Sequence, residues 1–499
     1  MPFFKAKKLD FSSGRRMEVV LREEEARRYG IRKADVLKIK WKKKSFFATV
    51  NYTNSKVEEG EIGFFREIWQ SDKGKEMNSA GIVEVSLIKR PDSIKAIKKK
   101  LLGSPLNYKE IKSIIKDISD GFLGDIETTY FVASSFRGNF SDTELYYLTK
   151  AMVETGDQLK FKGMVVDKHS VGGLPGNRVT PILVPIIASL GFTIPKTSSR
   201  AVTSPAGTSD TLEVFMPVCL ETKDIKKVVA QTGGCLVWGG ALRIAPADDK
   251  IIKVSYPLVM EPYNKMIVSI MAKKVAMGIK YLVIDMPIGR NTKIKNKKAA
   301  DMIERKMRYI AGKFGIKLKV MASRVIDPAG RGIGPSLEAR DILRVLQQKK
   351  NRPMDLEKKA LKITSALLVL TGKFTEIEAK KASRENLRSL KAWEKIKEII
   401  SAQGGNQNID SEKIKLGSYR HEVKAAKNGR IAMYDNRAII EFCRILGAPS
   451  IKQAGIYLDK VIGNKFKKGE TLFTLYADSL DRLDLAKAAL KKGNILKIV

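Results

Sequence analysis

Two small-residue loops within residues 165–213 hold the residue types that bind an oxyanion. Asp167-Lys168-His169-Ser170 follows a short apolar strand expected over 164–166 and runs into Gly172-Gly173-Leu174-Pro175-Gly176-Asn177. Glycines let backbone N–H groups close on a ligand from one concavity, and a helix expected to start just beyond them adds its positive dipole end. Lys168 supplies a full charge. The second loop, Thr197-Ser198-Ser199-Arg200-Ala201-Val202-Thr203-Ser204 and then Gly207-Thr208, brings six hydroxyls and one guanidinium with little bulk. Hydroxyls, amides and one or two cations are what a phosphate group requires. One glycine-rich turn alone is weak evidence and reads more readily as structure, but two in succession, each with a basic residue and hydroxyls, favour an anion site. Neither has the Gly-Lys-Ser/Thr ending of a P-loop, and Gly-x-Gly-x-x-Gly is absent.

Lys168-His169-Ser170-x-Gly172-Gly173, then Ser198-x-Arg200 and Gly207-Thr208-x-Asp210-x-x-Glu213, resemble the signature of the thymidine/pyrimidine nucleoside phosphorylase family. Ser269-Ile-Met-Ala-Lys273-Lys274 and Asp327-Pro328-x-Gly330-Arg331-x-Ile333-Gly334-x-x-Leu337-Glu338 fit the same family in the same order. Ser199, Ala201 and Ala206 replace glycines of its bacterial and animal members. That variant, with an extra N-terminal segment, is similar to the archaeal AMP phosphorylase branch.

The resemblance implies phosphorolysis of nucleoside 5′-monophosphates: AMP and phosphate give adenine and ribose 1,5-bisphosphate, with CMP and UMP as further candidates. Inorganic phosphate is then a co-substrate, and no metal or redox cofactor is expected. Such an enzyme holds phosphate close to C1′ while the base departs through an oxocarbenium-like transition state, so positioning and electrostatics dominate. The leaving base wants a proton, which a carboxylic acid of raised pKa can give. By resemblance, phosphate falls at Lys168, Ser170, Thr180, Ser198 and Thr208. The nucleotide falls at Gly173, the run Ser199, Arg200, Ala201, Val202, Thr203 and Ser204, and at Thr208, Ser269 and Lys293, with Lys273 at the base. The acid position, eight residues before Ser269, is Glu261, where the family carries aspartate; Asp248 and Asp249 stand in reserve. Spacing alone would make Glu261 an ordinary surface carboxylate. His169, one of two histidines with His421, is assigned to ribose or base by its place between Lys168 and Ser170. Lys293 is placed to neutralise a 5′-phosphate, the bland alternative being one solvated lysine among Lys293, Lys295, Lys297 and Lys298.

Three rival readings differ in substrate or class. A thymidine/pyrimidine nucleoside phosphorylase would prefer unphosphorylated nucleosides. An anthranilate phosphoribosyltransferase shares the fold but fits the motifs less well. A basic nucleic-acid-binding protein is suggested by 93 basic against 54 acidic residues, a formal net charge of +39. Yet the lysines are spread through every region without an aromatic-interleaved patch, which favours a solvated surface that also steers phosphorylated substrates inward.

Around this site the chain divides by pattern. Residues 1–88 carry short alternating pieces, such as Val36-Leu-Lys-Ile-Lys-Trp41, and predict a small β-barrel or sandwich. Residues 93–160 predict a helical domain, with capping boxes at Asn107-x-x-Glu110 and Ser141-x-x-Glu144 and a stripe of Ile111, Ile114, Ile115 and Ile118. Family members assemble through that domain, so at least a homodimer is implied. Residues 161–405 alternate strands (164–166, 212–215, 235–238, 281–286, 318–322) with helices (179–190, 223–231, 296–314, 353–370, 375–401), predicting an α/β sheet with ligands at the strand ends. Residues 410–499 read as a C-terminal α+β domain, with two strands around a glycine turn in 460–476. The whole is therefore expected to be a multidomain α/β protein. Cys219, Cys235 and Cys443 have no ligand spacing and read as buried apolar residues in a reducing compartment. The start lacks an apolar signal-peptide core, and the apolar run 179–194 is broken by Pro181, Pro185 and Gly191, so a cytoplasmic enzyme is expected.

Overall fold

The computed structural model describes residues 2–499 other than 15–16, 72–73, 75–80, 88–90, 135–139, 173, 202–203, 256–262, 290–291, 325–327 and 492. The chain forms two compact units, Met1–Thr155 with Pro246–Val268, and Gly156–Ala245 with Ser269–Val499.

In the first unit, strands Phe3–Lys8, Glu18–Arg22, Val36–Trp41, Lys44–Thr53, Glu61–Phe64 and Ile82–Leu87 close into a barrel. Alternation does the sorting: Leu37, Ile39 and Trp41 point into the core, while Lys38 and Lys40 face out. Helices Asp92–Leu101, Tyr108–Asp120, Asp125–Ala133, Asp142–Glu154 and Pro246–Ser255 follow. Both capping boxes form, each with the N-cap side chain accepting the N3 amide and the N3 glutamate accepting the N-cap amide. The four isoleucines of the stripe are fully buried. Glu144 also receives the Lys100 ammonium at 2.7 Å inside the bundle.

The second unit is built on five parallel strands. Tyr281–Ile288 lies between Lys317–Arg324 and Val166–Ser170, and Ile194–Ser198 pairs with Gly234–Trp238. A parallel bridge from Val165 to Thr193 joins the two sets. Because every pairing is parallel, Arg324, Ile288, Ser170, Ser198 and Trp238 end on one edge, where open α/β sheets bind ligands. The central strand is buried on both faces, as its nearly unbroken apolar run requires. Helices Thr180–Ser189, Pro335–Leu346, Met354–Leu370 and Lys391–Ala402 supply most of the apolar core against the sheet. In the tail, Tyr419–Lys424, Thr471–Ala477 and Gly455–Leu458 form an antiparallel sheet that also takes in Gly332–Ile333.

Several local readings need correction. The strand expected over 164–166 begins at Val166 and runs on to Ser170, so the charged residues are part of it. Ile194–Ser198 is a strand that Pro195 and Lys196 disguise. Residues 212–215 are not a strand: Asp210 accepts the Gly207 N–H at 2.7 Å and starts the helix Thr208–Leu212. The helix expected over 375–401 is two, Glu376–Arg388 and Lys391–Ala402, broken where Leu390 takes φ 63°. Cys219 is exposed, unlike Cys235 and Cys443. Among the described residues no helix is long and apolar enough to cross a membrane.

Candidate functional site

The register of the sheet sets the first loop. Ser170 pairs with Asp285 and Lys168 with Val283, so residues 168 and 170, two apart on one strand, share a face beside Asp285. Ser170 Oγ donates to Asp285 Oδ2 at 2.9 Å, and Asn177 Nδ2 reaches Ser170 Oγ at 3.2 Å and the same carboxylate oxygen at 3.3 Å. Lys168 Nζ is 4.0 Å from that oxygen and Lys359 Nζ, on helix Met354–Leu370, is 3.5 Å from it. Burial lowers the Lys168 ammonium to about 8, against the pull of Asp285 and with Lys359 and Arg178 adding to the fall. Burial pushes Asp285 up, but Lys168, Lys359 and the Ser170 and Asn177 hydrogen bonds outweigh it and keep the carboxylate ionised.

The opposite face of the same strand carries Asp167 and His169. Asp167 is buried with Lys196 Nζ at 3.1 Å and Lys274 Nζ at 2.5 Å, and Lys196 also donates to the Lys168 carbonyl at 2.5 Å. Burial, with Lys274 and Lys168 nearby and Asp167 opposing, lowers Lys196 to about 7. His169 is pushed well below its ordinary value by burial and by Lys274, Lys196, Lys168 and Lys273, so it is neutral at pH 7. A neutral imidazole can bond a ribose hydroxyl or a base without adding charge. On helix Tyr263–Ala276, Ser269 and Lys273 stand one turn apart, with Nζ 3.5 Å from Oγ.

In the second loop Ser198 ends its strand, with Oγ 2.8 Å from Ser209 Oγ. Asp210 Oδ2 accepts the amides of Ala201 and Gly207, both at 2.7 Å, and so ties the two ends of the loop together. A side chain at 207 would put Cβ 2.4 Å from the Arg200 carbonyl carbon, so only glycine permits this approach. Arg200 lies over the Trp238 ring at 4.8 Å and makes a bidentate pair with Glu213, 2.7 Å on each arm. Glu213 also takes Lys452 at 2.9 Å, and the Arg200 hydrogen bond leads in lowering its carboxyl to about 2. The Arg200 charge is thus met within the protein by Glu213, with Asp210 at 3.3 Å.

Arg178 and the last motif brace both loops. Arg178 Nε pairs with buried Glu338, its Nη2 donates to the Ala206 carbonyl, and Thr211 Oγ1 reaches Glu338 at 3.1 Å. Gly176, at φ 71°, lies so close to Ala329 that an added Cβ would be 2.1 Å from its carbonyl oxygen. Ala329 N in turn donates to the Pro175 carbonyl at 3.0 Å, and Asp341 accepts the amides of Arg331 at 2.8 Å and Gly332 at 2.7 Å.

Ser170 and Ser198 therefore end their strands on the same edge, Lys168 lies two residues before Ser170 on the same face, and Thr180 and Thr208 are the first residues of helices. Ser199 is exposed, and Ala201 and Ser204 are half-buried in the same loop. Lys293 is half-buried, with Cε 4.0 Å from the place a side chain at Gly172 would occupy, whereas Lys295, Lys297 and Lys298 are exposed. Gly173, Val202, Thr203 and Glu261 lie outside the described residues, as does Asp327. Asp248 is buried and Asp249 exposed on helix Pro246–Ser255 of the first unit. Sequence reasoning gave no role to Asp285, Lys359, Lys196 or Arg178. A carboxylate inside the apolar run Tyr281-Leu-Val-Ile-Asp-Met286 was a readable signal for the first, since a buried charge needs partners; the others become neighbours only through the fold. Among the described residues no group of three histidine, cysteine, aspartate or glutamate side chains is arranged to hold a metal ion.

Family models match three stretches: the helical bundle domain of the glycosyl transferase family at residues 94–156, the a/b domain of that family at 162–389, and the pyrimidine nucleoside phosphorylase C-terminal domain at 431–497. The chain is 38% identical to the AMP phosphorylase of Methanosarcina mazei over 96% of its length and 93% of that protein. It is 40% identical to the AMP phosphorylase of Thermococcus kodakarensis, covering 98% and 96% respectively. A putative thymidine phosphorylase of Legionella pneumophila is 39% identical, covering 89% and 84%. The crystal structure of anthranilate phosphoribosyltransferase from Thermus thermophilus shares the fold, with a TM-score of 0.51 at 17% identity over 62% of this chain and 99% of that one. The chain belongs to the AMP phosphorylase and thymidine phosphorylase family.

Proposed function

We propose that this protein is an AMP phosphorylase, which converts AMP and inorganic phosphate to adenine and ribose 1,5-bisphosphate and accepts CMP and UMP as further substrates. The observation that carries this reading is the placing of Ser170 and Ser198 at the same-edge ends of two parallel strands, with buried Lys168 two residues before Ser170 on its face and half-buried Lys293 beside Gly172, in a chain similar over 96% or more of its length to AMP phosphorylases. In this reading phosphate lies against the Lys168 ammonium and the hydroxyls of Ser170, Thr180, Ser198 and Thr208. The nucleotide lies along 199–204 with Gly173, Thr208 and Ser269, and Lys293 neutralises its 5′-phosphate. His169 and Lys273 face the ribose or base, and Glu261 gives the departing base its proton.

The chemistry asks for little beyond this. Phosphate, held by a cation and hydroxyls, both attacks C1′ and stabilises the positive charge that develops there. As the C1′–N bond breaks, a new C1′–O bond forms and the base leaves with the carboxyl proton. No metal or redox group enters the scheme. The protein is proposed to act in the cytoplasm, in keeping with its three widely separated thiols. It is further proposed to act as a homo-oligomer, supported by exposed Leu102, Ile126 and Tyr130 in the helical region of the first unit.

The likeness to a putative thymidine phosphorylase supports a second reading, in which nucleosides lacking the 5′-phosphate are the better substrates. Comparing kcat/KM for AMP and adenosine, and for UMP and uridine, separates the two. A preference of about tenfold or more for the monophosphates upholds the first reading, and the reverse order establishes the second.

A further inference from the structure

We infer that Asp285 is a positioning residue of the phosphate site, which holds the Ser170 hydroxyl and the Lys168 ammonium through one carboxylate oxygen, and that Lys359 tunes this hold from outside the loop. The inference rests on the reading of the first loop as a phosphate site. Asp285 is 2% exposed in the middle strand of the sheet, and its Oδ2 is the meeting point of four groups. Ser170 Oγ is at 2.9 Å, Asn177 Nδ2 at 3.3 Å, Lys359 Nζ at 3.5 Å and Lys168 Nζ at 4.0 Å. A long lysine side chain and a freely rotating hydroxyl would otherwise sample several rotamers, and holding them in one arrangement before the anion arrives removes that cost from binding. Asp285 is itself held in a buried position of the middle strand, paired directly with Ser170.

Lys359 distinguishes this arrangement from an inert buried ion pair. It stands on a different element, helix Met354–Leu370, is half-buried, and shares the carboxylate with Lys168. Charged groups near Lys168 are Asp285 from the neighbouring strand, Lys359 from the helix, Asp167 from its own strand, Lys196 from strand Ile194–Ser198 and Arg178 from the loop that follows. Removing a negative neighbour makes Lys168 lose its proton at lower pH, and removing a positive neighbour makes it keep its proton to higher pH. The two partners of Asp285 therefore make opposite predictions.

The test uses the full-length enzyme, inorganic phosphate as the probe, and two substitutions, Asp285→Asn and Lys359→Met. Phosphate binding is read by titration calorimetry without nucleotide, and kcat/KM for phosphate is followed from about pH 6 to 10. In the wild type that profile falls as Lys168 (about 8 in the free protein) loses its proton. Asp285→Asn is expected to weaken phosphate binding about tenfold or more, to leave KM for AMP within roughly threefold, and to move the alkaline limb down by on the order of one pH unit. Lys359→Met is expected to move that limb up. Equal phosphate affinity in wild type and Asp285→Asn, or an equal rise in KM for both substrates with an unmoved limb, overturns the inference and leaves the phosphate site standing. If Asp285→Asn does not fold, Lys359→Met decides: an upward limb supports the assignment and an unmoved one ends it. A wild-type protein that binds no phosphate removes the reading on which the inference rests, and the inference with it.

Discussion

The Arg178–Glu338 pair is the clearest place to ask whether the two loops are braced as a unit. Glu338 is fully buried, and the Arg178 side chain is about one-tenth exposed. Besides Glu338, the guanidinium donates to the carbonyls of Ala206 and Asn177, so it links the first loop, the second loop and helix Pro335–Leu346. Replacing Arg178 by methionine keeps the bulk and strands the carboxylate. Breaking one half of a buried pair costs about 3–5 kcal/mol, and losing a donor to a buried carbonyl adds about 1 kcal/mol or more. Burial already raises the Glu338 carboxyl, so it takes up a proton once Arg178 is gone and caps the cost near the lower figure, about 3 kcal/mol. Glu338→Leu should cost a similar amount by leaving the arginine charge stranded. The double variant removes both charges and should cost far less than the sum, giving a coupling energy of about 3 kcal/mol in a double-mutant cycle. The cycle can be read by urea unfolding in a Trp41→Phe/Trp69→Phe background, where only Trp238 and Trp393 report, both in the second unit. Single substitutions costing less than about 1 kcal/mol each, with an additive double, would refute the bracing argument.

Three further outcomes follow from the same geometry. Lys293→Ala should raise KM for AMP by about 10–100-fold, the worth of a charge-assisted contact of roughly 1.5–3 kcal/mol, and leave adenosine nearly unchanged; equal effects on both would remove the 5′-phosphate assignment. Glu261→Gln should lower kcat by about 10²-fold or more with little change in KM if this carboxyl gives the proton, whereas near-wild-type turnover moves the role to another group. Glu213, held at about 2 mainly by Arg200, is depressed in the folded state. Its contribution is complete above the unfolded value of about 4.3 and is lost as pH falls from there towards about 2, and solvent screening of this part-exposed pair keeps it to about 1 kcal/mol. The stability difference between wild type and Glu213→Gln should therefore shrink across that window, and a difference that stays constant down to about pH 2 would contradict the ion-pair account.

What could be read beforehand follows the range of the interactions involved. Capping boxes at Asn107 and Ser141, the alternation of Val36–Trp41 and the apolar run of the central strand are local, and they were legible. The strand Ile194–Ser198 was not, because Pro195 and Lys196 argue against a strand until Lys196 is seen to be neutralised by Asp167 beneath the sheet. Residues 212–215 looked like a strand because the helix start depends on Asp210 capping Gly207, a signal written without a serine or threonine at the cap. The break at Leu390 has no glycine or proline to announce it. At the site, residue type and motif singled out Lys168, Ser170 and Ser198, and the parallel register sets Ser170 and Ser198 on the same edge, with Lys168 two residues before Ser170. The long-range partners, Lys359 with Asp285 and Arg178 with Glu338, are 74 and 160 residues apart in sequence. Their pairing is a product of the fold, so no spacing rule could find them.

Phosphate-dependent release of free base tests the central claim most directly, with AMP, CMP, UMP, adenosine and thymidine run side by side at one enzyme concentration. The account predicts base from the monophosphates, dependent on added phosphate and scarcely detectable from the two nucleosides. Release from thymidine alone would place the protein with the nucleoside phosphorylases. No release from any of the five, with oligonucleotide binding that weakens steeply with salt, would contradict the account altogether.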